Sequence, residues 1–370
     1  MRIAVVHDWF SYVGGAEKVV AEIISTFQKH YIEVFCLVDL LEGNDRTRIY
    51  QGRKVNTSFI QKLPFSRKKY RSYLPFYPFA IEQFDLSGFD LIISSSSSVA
   101  KGILTHPYQK HICYCHTPMR YAWDLYQSYL KKEKLEHGLK SFFVKMVLHY
   151  LRVWDLSTNN RVDLFLANSK YVAERIHRLY KRSAKVVYPP IKVINVEKYS
   201  GKRDYYLVVS RMVPYKRIDL ILEAFHENPS RQLVVIGTGP ELKQLKLIKG
   251  SNIEFKGHID SKEVYDYMKR AKAVIFAAEE DFGMTAVEAQ ACGTPVIAYA
   301  KGGHRESIIE NKTGILYTSQ TKESIQQAIE QFENSFPEMS IQEFDHLELF
   351  SEEKFRNKLT DIVNEQTSAT

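Results

Sequence analysis

The sequence predicts two doubly wound α/β domains, and three observations carry that expectation. Short strand-like runs alternate with helical patterns from one end of the chain to the other. The alternation breaks once, at Pro189-Pro190 and the polar stretch up to about Lys202, and then restarts. Finally, 370 residues is too long for one ordinary core and suits two.

The first strand is expected at 3–7. A helix comes next over 16–29, because Val19, Val20, Ile23, Ile24 and Phe27 fall on one stripe at the 3.6-residue period. Further strands are expected at 33–38, 91–94, 111–114, 164–167 and 186–188, then at 205–210, 233–236, 253–255, 273–276 and 295–298. Strands alternating with helices make right-handed crossovers and parallel sheets covered on both faces. The domains are therefore expected at 1–189 and from 190 onward. Ligands of such sheets lie beyond the carboxyl ends of the strands, so two facing sheets would hold theirs in a cleft.

Composition narrows the class. With 45% hydrophobic and 25% charged residues the whole length should fold. No run approaches the roughly 18 apolar residues that span a bilayer, and the opening Met1-Arg-Ile-Ala-Val-Val-His-Asp8 is interrupted too early for a signal peptide, so a cytoplasmic protein is expected. The four cysteines sit in apolar patterns as reduced buried thiols; Cys113 and Cys115 share one strand face, a weak metal signal. The net charge of +8 suits an anionic partner without choosing one. Its distribution says more. Lys62, Arg67, Lys68, Lys69 and Arg71 interleave with Phe65, Tyr70, Tyr73, Phe76, Tyr77 and Phe79, with no acid among them. That mixture suits an anionic bilayer surface, where rings sit at headgroup level and cations meet lipid phosphate; a solvated basic loop with a few core aromatics is the plainer alternative.

The most informative stretch is Glu280-Asp-Phe-Gly-Met-Thr-Ala-Val-Glu288. Thr285 as N-cap with Glu288 three residues on reads as a capping box, so a helix is expected from about Ala286, stopping at Gly293 and Pro295. Its N-terminal end, at Phe282-Gly283-Met284, would form an anion site fit for a diphosphate, flanked by Glu280 and Glu288 as hydroxyl-binding carboxylates. Arg211 and Lys216 come after the first strand of the second domain and would converge on the same anion. Arg217 could equally start the next helix. Gly237 and Gly239 allow close backbone approach at a strand end, or make a tight turn. In the first domain Gly14 and Gly15 open the helix over 16–29, and His116-Thr-Pro-Met-Arg120-Tyr121-Ala-Trp-Asp124 comes after the strand at 111–114. A lone histidine is more often structural, yet His116 stands where a substrate would meet it.

Together these motifs resemble the family 4 retaining glycosyltransferases of the two-Rossmann-domain (GT-B) type, over nearly the whole chain. The stretches 73–84 and 116–124 look like the branch with bacterial mannosyltransferases of O-antigen and exopolysaccharide assembly. The resemblance implies roles at the matching positions. Arg211 and Lys216 would hold the donor diphosphate, Glu288 the ribose and Glu280 the sugar hydroxyls, aided by Phe282, Gly283, Met284 and Thr285. His116 would lie beside the reacting carbon and Gly15 near the diphosphate or acceptor, with Gly14, Arg120, Tyr121 and Asp124 on the acceptor side. Gly237 and Gly239 would border the donor, and backbone around Phe255, Gly257 and His258 would meet the base. The closing helix, 350–370, would return to the first domain, leaving 190–349 as the second.

The resemblance leads to the expectation of a metal-independent, cofactor-free hexosyltransferase, peripheral at the inner face of the cytoplasmic membrane. It would move mannose from GDP-mannose, or a sugar from a UDP donor, to a lipid-linked glycan acceptor, with no nucleic-acid partner. Two other classes stay open. A sugar-nucleotide epimerase or hydrolase would work without an acceptor; a non-catalytic sugar-nucleotide-binding module would not need Arg211, Lys216, Glu280 and Glu288 together.

Overall fold

A computed structural model describes residues 1–192, 203–248, 250–335 and 345–368. The polar stretch between the domains falls mostly at 193–202, outside the described residues. The chain divides into two units, Met1–Pro190 with Phe355–Thr370, and Ile191–Lys354. The second division falls later than expected because Phe350 stays with the second unit: its carbonyl accepts from Ile191 N at 2.8 Å and its ring packs on Phe282.

In the first unit seven strands form one wholly parallel sheet: β1 (Arg2–His7), β2 (Tyr31–Cys36), β3 (Lys54–Thr57), β4 (Leu91–Ser96), β5 (Lys110–Cys115), β6 (Leu164–Ala167) and β7 (Ala184–Val186). Their order is β3-β2-β1-β4-β5-β6-β7, so the winding reverses between β1 and β4. Burial on both faces explains why residues 3–6 of β1 and 91–93 of β4 read as continuous apolar runs. The expected helix occupies Gly15–Thr26 and buries Val19, Val20, Ile23 and Ile24. The closing helix Glu352–Ser368 adds Phe355, Leu359, Ile362 and Val363 to the same core, and Lys185 Nζ meets Glu365 Oε2 at 2.5 Å.

Opposite that face lies a buried polar knot. Lys101, 1% exposed, donates from Nζ to Asp155 O at 2.5 Å, Thr158 Oγ1 at 2.6 Å and Asn159 Oδ1 at 3.0 Å, and sits 3.0 Å from Asp155 Oδ1. Trp123 and Tyr180 donate to the same carboxylate. An ammonium can be buried only with such partners.

The second unit repeats the plan with β8 (Tyr205–Val209), β9 (Gln232–Ile236), β10 (Ile253–Gly257), β11 (Ala271–Phe276), β12 (Val296–Tyr299) and β13 (Gly314–Tyr317), ordered β10-β9-β8-β11-β12-β13. All pairings are parallel, and the reversal falls between β8 and β11. Each unit is thus a doubly wound, Rossmann-like α/β domain.

The structure corrects three local expectations. The strand expected at 186–188 pairs instead over Ala184–Val186, with Val187 N adding a last bond to Ala167 O at 2.9 Å. Two edge strands, β3 and β13, extend the sheets beyond the strands expected. The helix expected from Ala286 begins at Met284, and its N-cap is Gly283 in the left-handed region (φ 88°) with no side-chain cap, so Thr285 and Glu288 form no capping box. Cys113 and Cys115 are, as expected, free buried thiols within the sheet's core.

Candidate functional site

Both reversal points gather the chemistry at the carboxyl ends of their sheets, where the crevice between diverging crossovers admits a ligand. In the second domain the loop after β8 carries Arg211 and Lys216, and the loop after β11 carries Glu280 to Gly283. β8 and β11 are neighbours, so residues 64 apart in sequence meet: the Lys216 ammonium is ion-paired with the Glu280 carboxylate, their side chains 19% and 16% exposed. Burial works against the Lys216 charge, but the charge and hydrogen bond of Glu280, with Tyr215 and Asp281, outweigh it and hold its pKa above the usual lysine value.

Glu280 is held from behind by residues that belong to none of the sequence motifs above. Gly303 N donates to Glu280 O at 2.9 Å, and Glu280 pairs with Gly302 as an isolated parallel bridge. A Cβ on Gly302 would stand 2.0 Å from Glu280 O, and one on Gly303 2.3 Å from Phe282 Cα. The Glu280–Gly283 turn therefore lies flat on a glycine pair at the carboxyl end of β12. His304 comes next, buried, its Nδ1 3.3 Å from Tyr299 O; burial keeps its pKa below the ordinary histidine value despite Glu280 nearby. A glycine pair separated by two residues from the end of a strand is the sequence signal for this support.

Glu288 lies one turn into the helix Met284–Ala291, where its Oε1 accepts from Tyr265 OH at 3.4 Å. Freed from capping, it remains part-exposed one turn from the helix N-terminus, whose first N–H groups have no partner within the helix. Gly237 and Gly239 lie against the backbone of the loop after β8. A Cβ on Gly237 would stand 2.0 Å from Ser210 O, and one on Gly239 2.2 Å from Met212 O. These glycines let the loops after β8 and β9 touch backbone to backbone, which sets the course of the segment bearing Arg211. His258 is exposed at the end of β10.

In the first domain the loops after β1, β4 and β5 converge. Asp8, buried, accepts from Ser97 N at 2.7 Å, Val99 N at 2.7 Å and Ala100 N at 2.8 Å, which fixes the loop after β4. His7 Nδ1–H donates to Ser95 O at 3.0 Å, while its Nε2 lies 3.7 Å from Glu17 Oε1 in the first turn of the helix Gly15–Thr26. Glu17 also accepts from Gly14 N at 2.9 Å, which fixes Gly14 at the start of the helix that Gly15 opens. Burial pulls the His7 pKa down, yet the hydrogen bond and charge of Glu17, the charge of Asp8 and the Ser95 carbonyl together hold it above the ordinary value.

His116 Nε2 lies 2.8 Å from Ser95 Oγ, and its carbonyl accepts from Asn168 Nδ2 at 3.0 Å. Burial, reinforced by the charge of His7, lowers its pKa to about 3, so its imidazole is neutral near pH 7. Farther along the same loop, Arg120 Nε donates to Asp124 Oδ2 at 3.2 Å, Arg175 donates to Asp124 Oδ1 at 2.6 Å and to Thr117 Oγ1 at 2.7 Å, and Tyr121 OH lies 2.6 Å from Ser98 Oγ. The structure thus brings Arg120, Tyr121 and Asp124 into one bonded loop anchored by Arg175. The basic segment lies elsewhere in this domain. Tyr70 and Tyr77 are buried, Phe65, Phe76 and Phe79 are exposed, and Lys62, Arg67, Lys68, Lys69 and Arg71 lie at the surface, with Arg67 Nη2 2.9 Å from Glu42 Oε1.

Residues 13–193 match the family model described as Glycosyltransferase Family 4, and residues 191–340 match that described as Glycosyl transferases group 1. Among curated proteins, an uncharacterized glycosyltransferase of Methanocaldococcus jannaschii is 30% identical over 187 residues, covering 49% of this chain and 52% of that protein. A D-inositol 3-phosphate glycosyltransferase of Frankia alni is 35% identical over 132 residues, covering 30% of this chain and 32% of its own length. A GDP-mannose-dependent alpha-(1-6)-phosphatidylinositol monomannoside mannosyltransferase of Mycolicibacterium smegmatis is 29% identical over 153 residues, 36% of this chain and 40% of its own. The chain thus spans about half the length of the first of these relatives and less of the others. Two solved structures share the fold over essentially their full length: sucrose-phosphate synthase from Thermosynechococcus elongatus (TM-score 0.73, 15% identity, 100% of each chain) and Anabaena HepE in complex with UDP-glucose (TM-score 0.70, 17% identity, 99% of this chain and 100% of that one). Since the two family models between them run from residue 13 to residue 340, the chain belongs to the glycosyltransferases that they describe.

Proposed function

We propose that the chain is a retaining, metal-independent hexosyltransferase that moves mannose from GDP-mannose to a lipid-linked oligosaccharide or polysaccharide precursor at an anionic membrane surface. The observation that carries this reading is the meeting of Lys216 and Glu280 at the reversal point of the second sheet, beside the helix that bears Glu288. A cation, two carboxylates and a helix N-terminus provide the complement to a sugar diphosphate: positive charge for the phosphates, acceptors for the hydroxyls.

In this reading Arg211, Lys216 and the backbone N–H groups of Gly283, Met284 and Thr285 hold the diphosphate, Glu288 the ribose and Glu280 the hexose. Gly237, Gly239 and His258 border the nucleotide. As the bond from the anomeric carbon to the phosphate breaks, the acceptor oxygen bonds to that carbon on the same face and its proton passes to the departing phosphate. The cations and helix end stabilise the developing charge where other enzymes use a divalent ion. His116, neutral, offers a hydrogen bond to the hexose, and Gly14, Arg120, Tyr121 and Asp124 serve the acceptor. Lys62, Arg67, Lys68, Lys69 and Arg71 meet lipid phosphate. Relatives whose names specify GDP-mannose and phosphatidylinositol monomannoside support the donor and a lipid acceptor.

A thermal-shift panel with GDP, UDP, ADP and their sugar conjugates tests the donor, since a ligand that binds the native state raises its melting temperature. Stabilisation by GDP-mannose that disappears in Glu288→Ala is expected, together with transfer that survives excess chelator. A response to UDP-sugars alone would replace the donor, and silence toward every nucleotide would overturn the reading.

A further inference from the structure

The helix Leu139–Ser157 is apolar on two faces, and the fold uses only one. Inward, Leu148 and Leu151 pack with Leu130 and Leu135, and Leu74 of the basic segment rests against this cluster. Outward stand Leu139 (75% exposed), Phe142 (59%), Phe143 (57%), Met146 (52%), Tyr150 (47%) and Val153 (55%). Their spacing of three, four, seven, eleven and fourteen residues from Leu139 puts all six on one stripe about four turns long. Scattered apolar side chains on a surface are ordinary; a helix-long stripe is a surface kept for a partner.

Charge decides which partner. From Leu139 to Trp154 the helix contains no Asp or Glu, while Lys140, Lys145 and His149 flank the stripe and Arg152 donates to Ala122 O at 3.1 Å. The next acid, Asp155, points inward to Lys101; Glu133 and Glu136 precede the helix, where Glu136 offers its carbonyl to Lys145 Nζ at 2.9 Å. The neighbouring helix Tyr77–Glu82 is joined to it by Trp154 Nε1 donating to Glu82 Oε1 at 2.9 Å, and it comes after the segment with exposed Lys68, Lys69 and Arg71, beside exposed Phe76 and Phe79. Apolar rings and aliphatics edged by cations match the interfacial layer of an anionic bilayer, which offers hydrocarbon below and phosphate at the rim.

We infer that the outward face of the helix Leu139–Ser157 inserts into the headgroup and acyl boundary of an anionic phospholipid bilayer and is the principal membrane anchor of the first domain, with the basic segment as its electrostatic complement. This rests on the membrane-surface part of the function proposed above and is independent of the donor.

Three proteins test it by co-sedimentation with phosphatidylglycerol-containing and pure phosphatidylcholine vesicles: the wild type, F142S/M146S/V153S, and K68Q/K69Q/R71Q. All six positions are exposed, so unchanged melting temperatures and unchanged nucleotide-induced shifts are expected in both variants. The helix variant should lose at least about tenfold in partitioning, as expected from removing buried apolar area. The basic variant should weaken binding at low salt and leave a fraction bound that about 0.5 M salt does not remove, because salt screens charge and not insertion. In F143W, tryptophan fluorescence should be quenched by lipids brominated in their acyl chains. Unimpaired binding by the helix variant, or no excess quenching in F143W, overturns the insertion. A vesicle-independent dimer that F142S/M146S/V153S dissolves would assign the face to a second copy of the chain and equally overturns it.

Discussion

One serine hydroxyl links two histidines of opposite character: Ser95 Oγ lies 2.8 Å from His116 Nε2 and 3.1 Å from His7 Nδ1. Ser95 stands opposite His7 in the β1–β4 pairing, and His116 comes directly after β5, so three neighbouring strands present their ends to one hydroxyl. After burial, the proximity of His7, whose own pKa Glu17 helps to raise, is the second cause that lowers the His116 pKa. Ser95→Ala leaves the rings without their shared partner. It should cost about 1–2 kcal/mol of stability, the range for an unmet buried polar group, and lower transfer by roughly an order of magnitude through loss of His116 orientation. Chemical denaturation and the ring resonances of both histidines check it; His116 resonances identical to the wild type would refute the linkage.

The pH dependence of stability comes from the histidines, with opposite signs. His116 and His111 have folded pKa values lowered to about 3 and about 4, mainly by burial. The unfolded chain therefore binds more protons as pH falls below about 6.5, and their contribution is complete above that value and shrinks toward pH 4. His7 is raised, so its contribution is complete below about 6.5 and is lost as pH climbs through its folded value. Stability should thus fall on acidification from about pH 6.5 to about pH 4 with a slope of up to about 1.4 kcal/mol per pH unit for each of these two histidines, and His304, also lowered by burial, adds in the same direction. His116→Asn should flatten that slope, which urea titrations at several pH values would measure. An unchanged slope would place the proton uptake elsewhere.

The Lys216–Glu280 pair and Glu288 should separate in kinetics. If Lys216 meets charge that grows only as the glycosidic bond breaks, Lys216→Ala lowers kcat by about 100-fold or more with a smaller change in donor KM. If Glu288 holds the ribose in ground and transition states alike, Glu288→Ala raises donor KM and leaves kcat nearly intact. Glu280→Gln removes the partner of a largely buried ammonium and should impair both. Steady-state kinetics on the three variants decides, and full activity in Lys216→Ala and Glu288→Ala would abolish the assignment.

Much of the fold is legible in the sequence because parallel strands buried on both faces announce themselves as apolar runs, as at β1 and β4. The edges are not. β3, Lys-Val-Asn-Thr, is only partly buried, and β13 begins with a glycine. The helix Leu139–Ser157 blurs its own period by being apolar inside and outside. Of the candidate residues, Arg211, Lys216, Glu280 and Glu288 can be found from spacing along the second domain. His7, Ser95 and Glu17 cannot, since their proximity to His116 depends on strand order and register. The capping pattern at Thr285 and Glu288 misleads because Gly283, at φ 88°, starts the helix two residues earlier.

Gly302 tests whether the support beneath Glu280 matters to the site. Its φ of +80° is a left-handed conformation costly for any residue with a Cβ, and that Cβ would meet Glu280 O at 2.0 Å, where neither partner is a flexible side-chain end. Gly302→Ala must therefore shift the Glu280–Gly283 turn or the loop after β12, at a cost of about 2–4 kcal/mol. The displaced turn would draw Glu280 from Lys216 and reorient the start of the helix that carries Glu288. Donor-induced stabilisation should consequently be lost even where the variant stays folded at low temperature. Gly43→Ala provides the comparison: its φ is also positive (+52°), but no atom lies within 4 Å of its Cβ position, so it should cost less and leave the donor response intact. Equal losses in the two variants would mean that backbone strain alone, and not the seat of Glu280, governs the outcome.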